Sequence, residues 1–292
     1  MQLKFWEPKE KSNTAFSKYS MRILSLKNLA VVISKLWGTA HFATLTAGYN
    51  KHEIARANHG DFLAVNVSLR VVSFLEVDEI GQTLKVVLEI KRTWFDSRLT
   101  WLHVKENPDM NVLWKENYLR IWYPSIQFRN IDLSKSHTDR YLTYRVLRDL
   151  NIKPIVRNPG TANATKVFKG SEHKIERLLE YTYYWRCVYN LKWYPFDLQT
   201  CHMHMRSPKH YHRFVRLFPE KVEFKGNKDE LTKYSVDKIL FCSKSNGTQL
   251  VLGVTLRRPL ISSILTIYIP TLLLLVIRCK SWLKTFFFNN YD

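Results

Sequence analysis

Cys187-Val-Tyr-Asn-Leu-Lys-Trp-Tyr-Pro-Phe-Asp-Leu-Gln-Thr-Cys201 is the stretch on which the reading of this 292-residue chain turns. Thirteen residues lie between the two cysteines, and the centre reads Tyr194-Pro195-Phe196-Asp197. Were the cysteines joined, closing a loop of about fifteen residues would remove on the order of 3 kcal/mol of unfolded-chain entropy. A short loop made rigid in that way, with aromatic residues at its tip, is suited to pressing on something outside its own domain.

Working outward, the flanking segments alternate apolar and polar residues at period two. Leu63-Ala64-Val65-Asn66-Val67-Ser68-Leu69-Arg70-Val71 is the clearest case, and residues 84–90, 119–123, 181–189 and 249–256 follow the same rule. Turn residues separate them, at Asn107-Pro108-Asp109, Asn158-Pro159-Gly160 and Lys225-Gly226-Asn227-Lys228-Asp229. Many short strands between turns, with no βαβ alternation and no internal repeat, predict a mainly β chain built as a sandwich over residues 47–257. Residues 1–46 form a basic leader that stays unassigned. A signal peptide starting at Met21 and an unstructured leader are both open.

The character of the chain changes at its end. Residues 259–277 read PLISSILTIYIPTLLLLVI without a charge. As a helix these residues would reach about 28 Å, close to the roughly 30 Å hydrocarbon core of a bilayer. Arg257 and Arg258 precede the run, and Arg278, Lys280 and Lys284 follow it. Pro270 is tolerated where neighbours satisfy the freed carbonyl. We therefore expect a transmembrane helix over 258–277 and a short cytoplasmic tail over 278–292. The first domain would then lie outside the cell membrane.

Composition narrows the function classes. With 46% apolar and 14% aromatic residues the chain is not disordered. Its net charge of +20 is scattered, with no zinc-finger, helix-turn-helix or RNP pattern, so it reads as a basic surface that concentrates anions and not as a nucleic-acid binder. Three sequons mark expected glycosylation at Asn66, Asn163 and Asn246. Together with a candidate disulfide they favour the secretory pathway. No H-E-x-x-H, G-x-S-x-G or P-loop occurs, so no enzyme is expected.

The cysteine-bounded stretch, with its aromatic-Pro-Phe-Asp centre, closely resembles the signature loop of the Cys-loop receptors, the pentameric ligand-gated ion channels. Further landmarks follow in that family's order. Leu75-Glu76-Val77-Asp78 is similar to its first inter-strand linker, and Thr93-Trp94-Phe95-Asp96-Ser97-Arg98-Leu99 to its W-x-D-x-R-L element. Ile121-Trp122-Tyr123-Pro124-Ser125-Ile126-Gln127-Phe128-Arg129-Asn130 is similar to its I-W-x-P…N segment. Leu256-Arg257-Arg258, followed by Leu265-Thr266-Ile267-Tyr268-Ile269-Pro270-Thr271, looks like its pre-membrane arginines and first membrane helix.

The resemblance implies a sandwich of roughly ten strands assembled as a ring of five sister subunits, homomeric or heteromeric, with Cys187 bonded to Cys201. It implies a small-molecule ligand held between subunits, and coupling to the membrane through Glu76, Asp78, Pro195, Phe196, Asp197 and Arg257 or Arg258. The positions that would face the ligand are Glu89 and Lys91, Gln127 and Arg129, Arg206 and Ser207, and a late capping loop beginning at Phe241. Gln127 and Pro208 stand where amine-binding members carry aromatics for cation–π contact, whereas Lys91, Arg129 and Arg206 suit a carboxylate transmitter. A degenerate pocket in an accessory subunit is the alternative.

Trp94 and Trp122 read as core. No cysteine pair occurs in the late loop, where Cys242 stands alone, and Cys279 lies past the apolar run. His202, His204, His210 and His212 read either as a zinc or proton sensor or as surface histidines, and no metal or cofactor is assigned. The chain stops at Asp292 after one span, where complete subunits have four. A channel subunit awaiting its remaining helices and a non-conducting binding or assembly-modulating protein are therefore both open.

Overall fold

The computed structural model describes residues 41–42, 49–55, 62–132, 135, 137–160 and 164–288. Asn163 and most of the basic leader fall outside them. Residues 119–123, expected as a strand, instead follow a helical turn at Lys115–Tyr118 and are irregular, with Ile121 and Trp122 both buried. The first seven strands are β1 (His41–Phe42), β2 (Leu63–Asp78), β3 (Thr83–Trp94), β4 (Thr100–Leu102), β5 (Gln127–Phe128), β6 (His137–Leu147) and β7 (Ile155–Arg157). These are followed by β8 (Thr165–Lys169), β9 (Lys174–Arg186), β10 (Leu198–Arg206), β11 (Val215–Phe224), β12 (Ser235–Lys244) and β13 (Gln249–Arg257). They assemble as a five-stranded sheet β11-β2-β3-β9-β6, a four-stranded sheet β12-β13-β10-β5 and a smaller sheet β1-β4-β8-β7.

The two large sheets are packed face to face because alternation buries one face of each strand. In β2, Leu63, Val65, Val67, Leu69 and Val71 are buried while Ala64 and Arg70 are exposed. In β10, Cys201, Met203 and Met205 are buried between exposed Thr200 and His202. Leu250, Leu252, Val254 and Leu256 of β13 complete that inner face. Trp94 and Trp122 meet edge to face inside the core, at 6.4 Å between ring centroids.

Polar staples tie the sheets together. The Asn130 side-chain amide donates to the His202 carbonyl and to the Arg186 carbonyl at 3.3 Å, and its oxygen accepts from the His204 amide at 3.1 Å. The Trp185 indole donates to the same His202 carbonyl at 3.1 Å. Cys187, just past β9, is disulfide-bonded to Cys201 of β10, with 5.3 Å between Cα atoms. Replacing Cys187 with serine is expected to lower unfolding stability by about 3 kcal/mol. Urea unfolding checks this, and the difference from wild type should vanish when both proteins are reduced.

After β13 the backbone turns helical. Leu260–Ser263 is α-helical, Ile264–Tyr268 a π-turn, and Ile269–Phe288 α-helical again. The π-turn sits just before Pro270, which has no N–H to give to the carbonyl four residues back. The Thr271 hydroxyl donates to the carbonyls of Ile267 at 2.9 Å and Tyr268 at 3.0 Å. Residues 264–282 are long and apolar enough to cross a membrane, and none of that length is buried against the β domain. The helix runs on through Arg278 and Lys280, so the charged flank is helical too.

Candidate ligand-binding and coupling site

The disulfide-closed loop folds into a braced knuckle. The Gln199 side chain donates to the Asn190 carbonyl at 2.8 Å and accepts from the Asn190 amide at 2.9 Å, spanning the loop's base. It also donates to Asp197 Oδ2 at 2.6 Å. Pro195 and Asp197 are buried, whereas Trp193 and Phe196 are each more than 70% exposed at the tip.

Arg258, between the end of β13 and Pro259 at the cap of the terminal helix segment, reaches into this knuckle. Its Nε donates to Asp197 Oδ1 at 3.0 Å, and its Nη2 donates to Asp197 Oδ2 at 3.3 Å and Glu79 Oε1 at 2.8 Å. The same nitrogen bonds the Tyr234 hydroxyl, and the guanidinium lies over the rings of Tyr234 at 4.4 Å and Tyr194 at 4.6 Å. Arg258 and Asp197 are both about 5% exposed or less, so the pair is held away from water. Burial by itself would pull the Arg258 guanidinium down, but its hydrogen bonds to the Asp197 and Glu79 carboxylates outweigh it and hold the group above its ordinary range. Burial likewise pushes the Asp197 carboxyl up, and the Arg258 and Gln199 hydrogen bonds outweigh it, leaving the carboxyl below the usual range.

The other coupling positions sit differently. Asp78 caps its own turn, accepting the Ile80 amide at 3.1 Å and the Gly81 amide at 2.8 Å. Glu76 is exposed opposite Lys85. Arg257 points away from the knuckle toward Asp237 on β12, 3.7 Å distant and exposed. Glu79 is therefore the carboxylate of the β2–β3 turn that meets the arginine. Neither Glu79 nor Tyr234 was singled out from the sequence. Glu79 stands one place beyond the linker motif, and Tyr234 lies in a polar connection with no pattern around it.

The expected ligand-facing positions fall into two sets. One lies on the outward rows of the β12-β13-β10-β5 sheet. Arg206 is opposite Gln127 on one side and Gln249 on the other, with Lys244 next across. Gln127 and Arg129 are exposed, and Arg129 follows β5 with its amide bonded to the His204 carbonyl at 3.1 Å. The His204 ring bonds Gln249 at 2.8 Å. Burial pushes His204 down, and His202, Lys244 and Arg129 add to that. Ser207 is fully buried, and neither its hydroxyl nor Arg206 Nε has a hydrogen-bond partner among the described residues. Phe241 is half-buried against the core, and Cys242 is an exposed free thiol. No aspartate or glutamate occurs on these rows between Arg206 and His202 or between Lys244 and Leu240.

The second set is on the five-stranded sheet. Glu89 and Lys91 face outward from β3 in a groove of about 430 Å³ shared with Ser68, Arg70, Arg145 and Glu223. Glu89 pairs with Arg70 at 3.0 Å and Lys91 with Glu176 at 3.4 Å. The structure does not bring the two sets together within one chain. They belong to different sheets: Gln127, Arg129 and Arg206 lie on one outward face and Glu89 and Lys91 on the other, whereas Ser207 is buried and Phe241 packs against the core, so those two do not face outward as expected.

Asn246 is exposed at the β12–β13 hairpin tip with φ of 52°, and Asn66 faces outward from the middle of β2. His210 meets Tyr211 edge to face and the His212 ring contacts the Ser207 carbonyl at 2.8 Å, so the four histidines are not gathered. Among the described residues no group of three His, Cys, Asp or Glu side chains could hold a metal.

Residues 39–248 match the family described as the neurotransmitter-gated ion-channel ligand binding domain. The chain is similar to acetylcholine receptor subunit alpha-type unc-38 of Caenorhabditis elegans, 26% identical over 56% of this chain and 27% of that protein. It is 25% identical to the betaine receptor acr-23 of the same nematode, over 59% of this chain and 28% of the receptor. With the acetylcholine receptor subunit delta of Rattus norvegicus it shares 23% identity, over 72% of this chain and 36% of that subunit. The matched regions thus span roughly a quarter to a third of these curated relatives.

Proposed function

This chain belongs to the neurotransmitter-gated ion-channel family, and from that premise we propose that it is a receptor subunit that seats a small carboxylate-bearing ligand between two neighbouring copies. The binding event passes to the membrane helix through the knuckle and Arg258. The observation that carries the reading is the separation of the two ligand-facing sets onto outward faces of different sheets. A ring of subunits places the Arg129–Arg206 face of one copy against the Glu89–Lys91 face of the next, as any head-to-tail closed assembly must pair unlike surfaces.

Ligand class follows from charge. The outward rows around Arg129, His202, His204, Arg206 and Lys244 carry no acidic partner, so a carboxylate gains charge-assisted hydrogen bonds without displacing an ion pair. A cationic head would need aromatic faces, and Gln127 and Pro208 offer none. Betaine carries both a carboxylate and a quaternary ammonium, which makes it a useful probe beside γ-aminobutyrate and choline. The β domain lies outside the cell membrane in this reading.

The test is equilibrium binding to receptors that contain the chain, in lipid nanodiscs. Arg129→Ala is expected to weaken betaine or γ-aminobutyrate at least about 10-fold, the loss of one charge-assisted hydrogen bond, with unfolding temperature unchanged because Arg129 is exposed. Choline should bind weakly and indifferently to that change. Unaltered carboxylate binding in Arg129→Ala, or choline binding tighter than betaine, would overturn the ligand class.

A further inference from the structure

Away from the knuckle, and on the opposite face of β3 and β9 from Glu89 and Lys91, the five-stranded sheet carries a row that its chemistry leaves incomplete. Arg92 of β3 lies directly opposite Arg177 of β9, which lies opposite Tyr144 of β6. Both arginines are interior, 4% and 8% exposed. The rows on either side are Trp94–Ile175–Val146 and Ile90–Leu179–Leu142, so apolar side chains border the pair along the sheet. Directly opposed residues on antiparallel strands have Cβ atoms only about 5 Å apart, and like charges there repel.

A buried guanidinium is ordinarily matched by a carboxylate. Here Arg92 Nη1 donates to the Pro124 carbonyl at 2.7 Å, and Arg177 lies over the rings of Tyr123 at 4.3 Å and Tyr144 at 5.4 Å. The Nε–H groups of both arginines are buried and find no acceptor among the described residues. Among the described residues no Asp or Glu pairs with either. Burial, with the Arg177 charge next, pushes the Arg92 guanidinium down to about 10, still well above neutral pH, so Arg92 stays charged beside Arg177.

We propose that Arg92 and Arg177 form an interior binding site for a small inorganic monoanion of the chloride type. Such an ion would accept the free Nε–H groups and replace like-charge repulsion with two attractions. The site is a structural one, filled from an extracellular medium rich in chloride. It is independent of the ligand seat between copies.

The experiment measures thermal unfolding of the full chain in detergent while chloride replaces gluconate at constant ionic strength. A saturable rise of roughly 3–6 °C is expected for wild type by 0.15 M chloride. The rise should be lost in Arg92→Met and Arg177→Met but kept in Arg213→Met, which removes an exposed arginine. Equal unfolding temperatures in the two salts, or a chloride response surviving in both interior variants, would overturn the proposal. Should the interior variants not fold, crystals of the wild-type protein grown in bromide decide it. An anomalous peak between the two guanidinium groups is expected, and an empty position there refutes the site.

Discussion

Replacing Arg258 with alanine is expected to lower unfolding stability by about 3–5 kcal/mol, because it strands a buried carboxylate without its counter-charge. Asp197 is almost fully buried and would keep Gln199 and, at 3.4 Å, the Tyr234 hydroxyl as side-chain donors, neither of them charged. Glu79 would lose its 2.8 Å partner, and the rings of Tyr194 and Tyr234 their cation. Arg258→Lys keeps the charge but not the two-nitrogen grip on Asp197, so an intermediate loss is expected. Urea unfolding of the detergent-solubilised chain checks both variants. Arg257→Ala, which removes only an exposed pair at 3.7 Å, should change stability by less than about 1 kcal/mol. That contrast between adjacent residues separates a role for Arg258 from a general need for positive charge above the membrane.

A loss of similar size is expected from Asp96→Ala at the buried Asp96–Arg98 ion pair. Asp96 is fully buried, and Arg98 grips it with Nε to Oδ1 and Nη2 to Oδ2, each at 2.8 Å. The Tyr49 hydroxyl donates to Oδ2 at 3.2 Å, and Arg98 Nη1 donates to the carbonyls of Asn50 and Glu53 at 3.2 Å each. The pair therefore clamps residues 49–55 onto the sandwich. Removing the carboxylate leaves an arginine only about one-eighth exposed without its anion, a loss of about 3–5 kcal/mol. Proteolysis at residues 49–55 should rise with it, and limited digestion read by mass spectrometry reports both effects.

Much of this architecture could be read from local pattern. The disulfide-bonded pair, four of the five period-two segments and the apolar run each declare themselves within a window of about twenty residues and take the expected form; residues 119–123 do not, because Ile121 and its neighbour Trp122 are both buried and the alternation there is not that of a strand. Even the choice between Arg257 and Arg258 was open to counting. Leu250, Leu252, Val254 and Leu256 point inward, so the next residue of that parity, Arg258, points inward as well. The β2–β3 turn could not be counted in the same way. Two register shifts, between Val71 and Ser73 and between Phe74 and Glu76, break the alternation before the tip. Parity carried along β2 therefore fails at the turn, and Glu79 meets the arginine while Glu76 and Asp78 do not. The Arg92–Arg177 row was hidden for another reason. Its two members are 85 positions apart in sequence, and only the β3–β9 register makes them neighbours.

Mixing two lesions in one assembly tests the shared seat most directly. One variant carries Arg129→Ala and Arg206→Ala on one face, the other Lys91→Ala and Glu89→Ala on the opposite face. Each expressed alone should lose saturable betaine or γ-aminobutyrate binding. Expressed together in equal amounts, random assembly leaves about a quarter of the seams with both faces intact, and binding should return to that fraction of wild type. Full loss in the mixture, with assembly confirmed by size, would mean that each chain holds its ligand alone and would contradict a seat built from two copies.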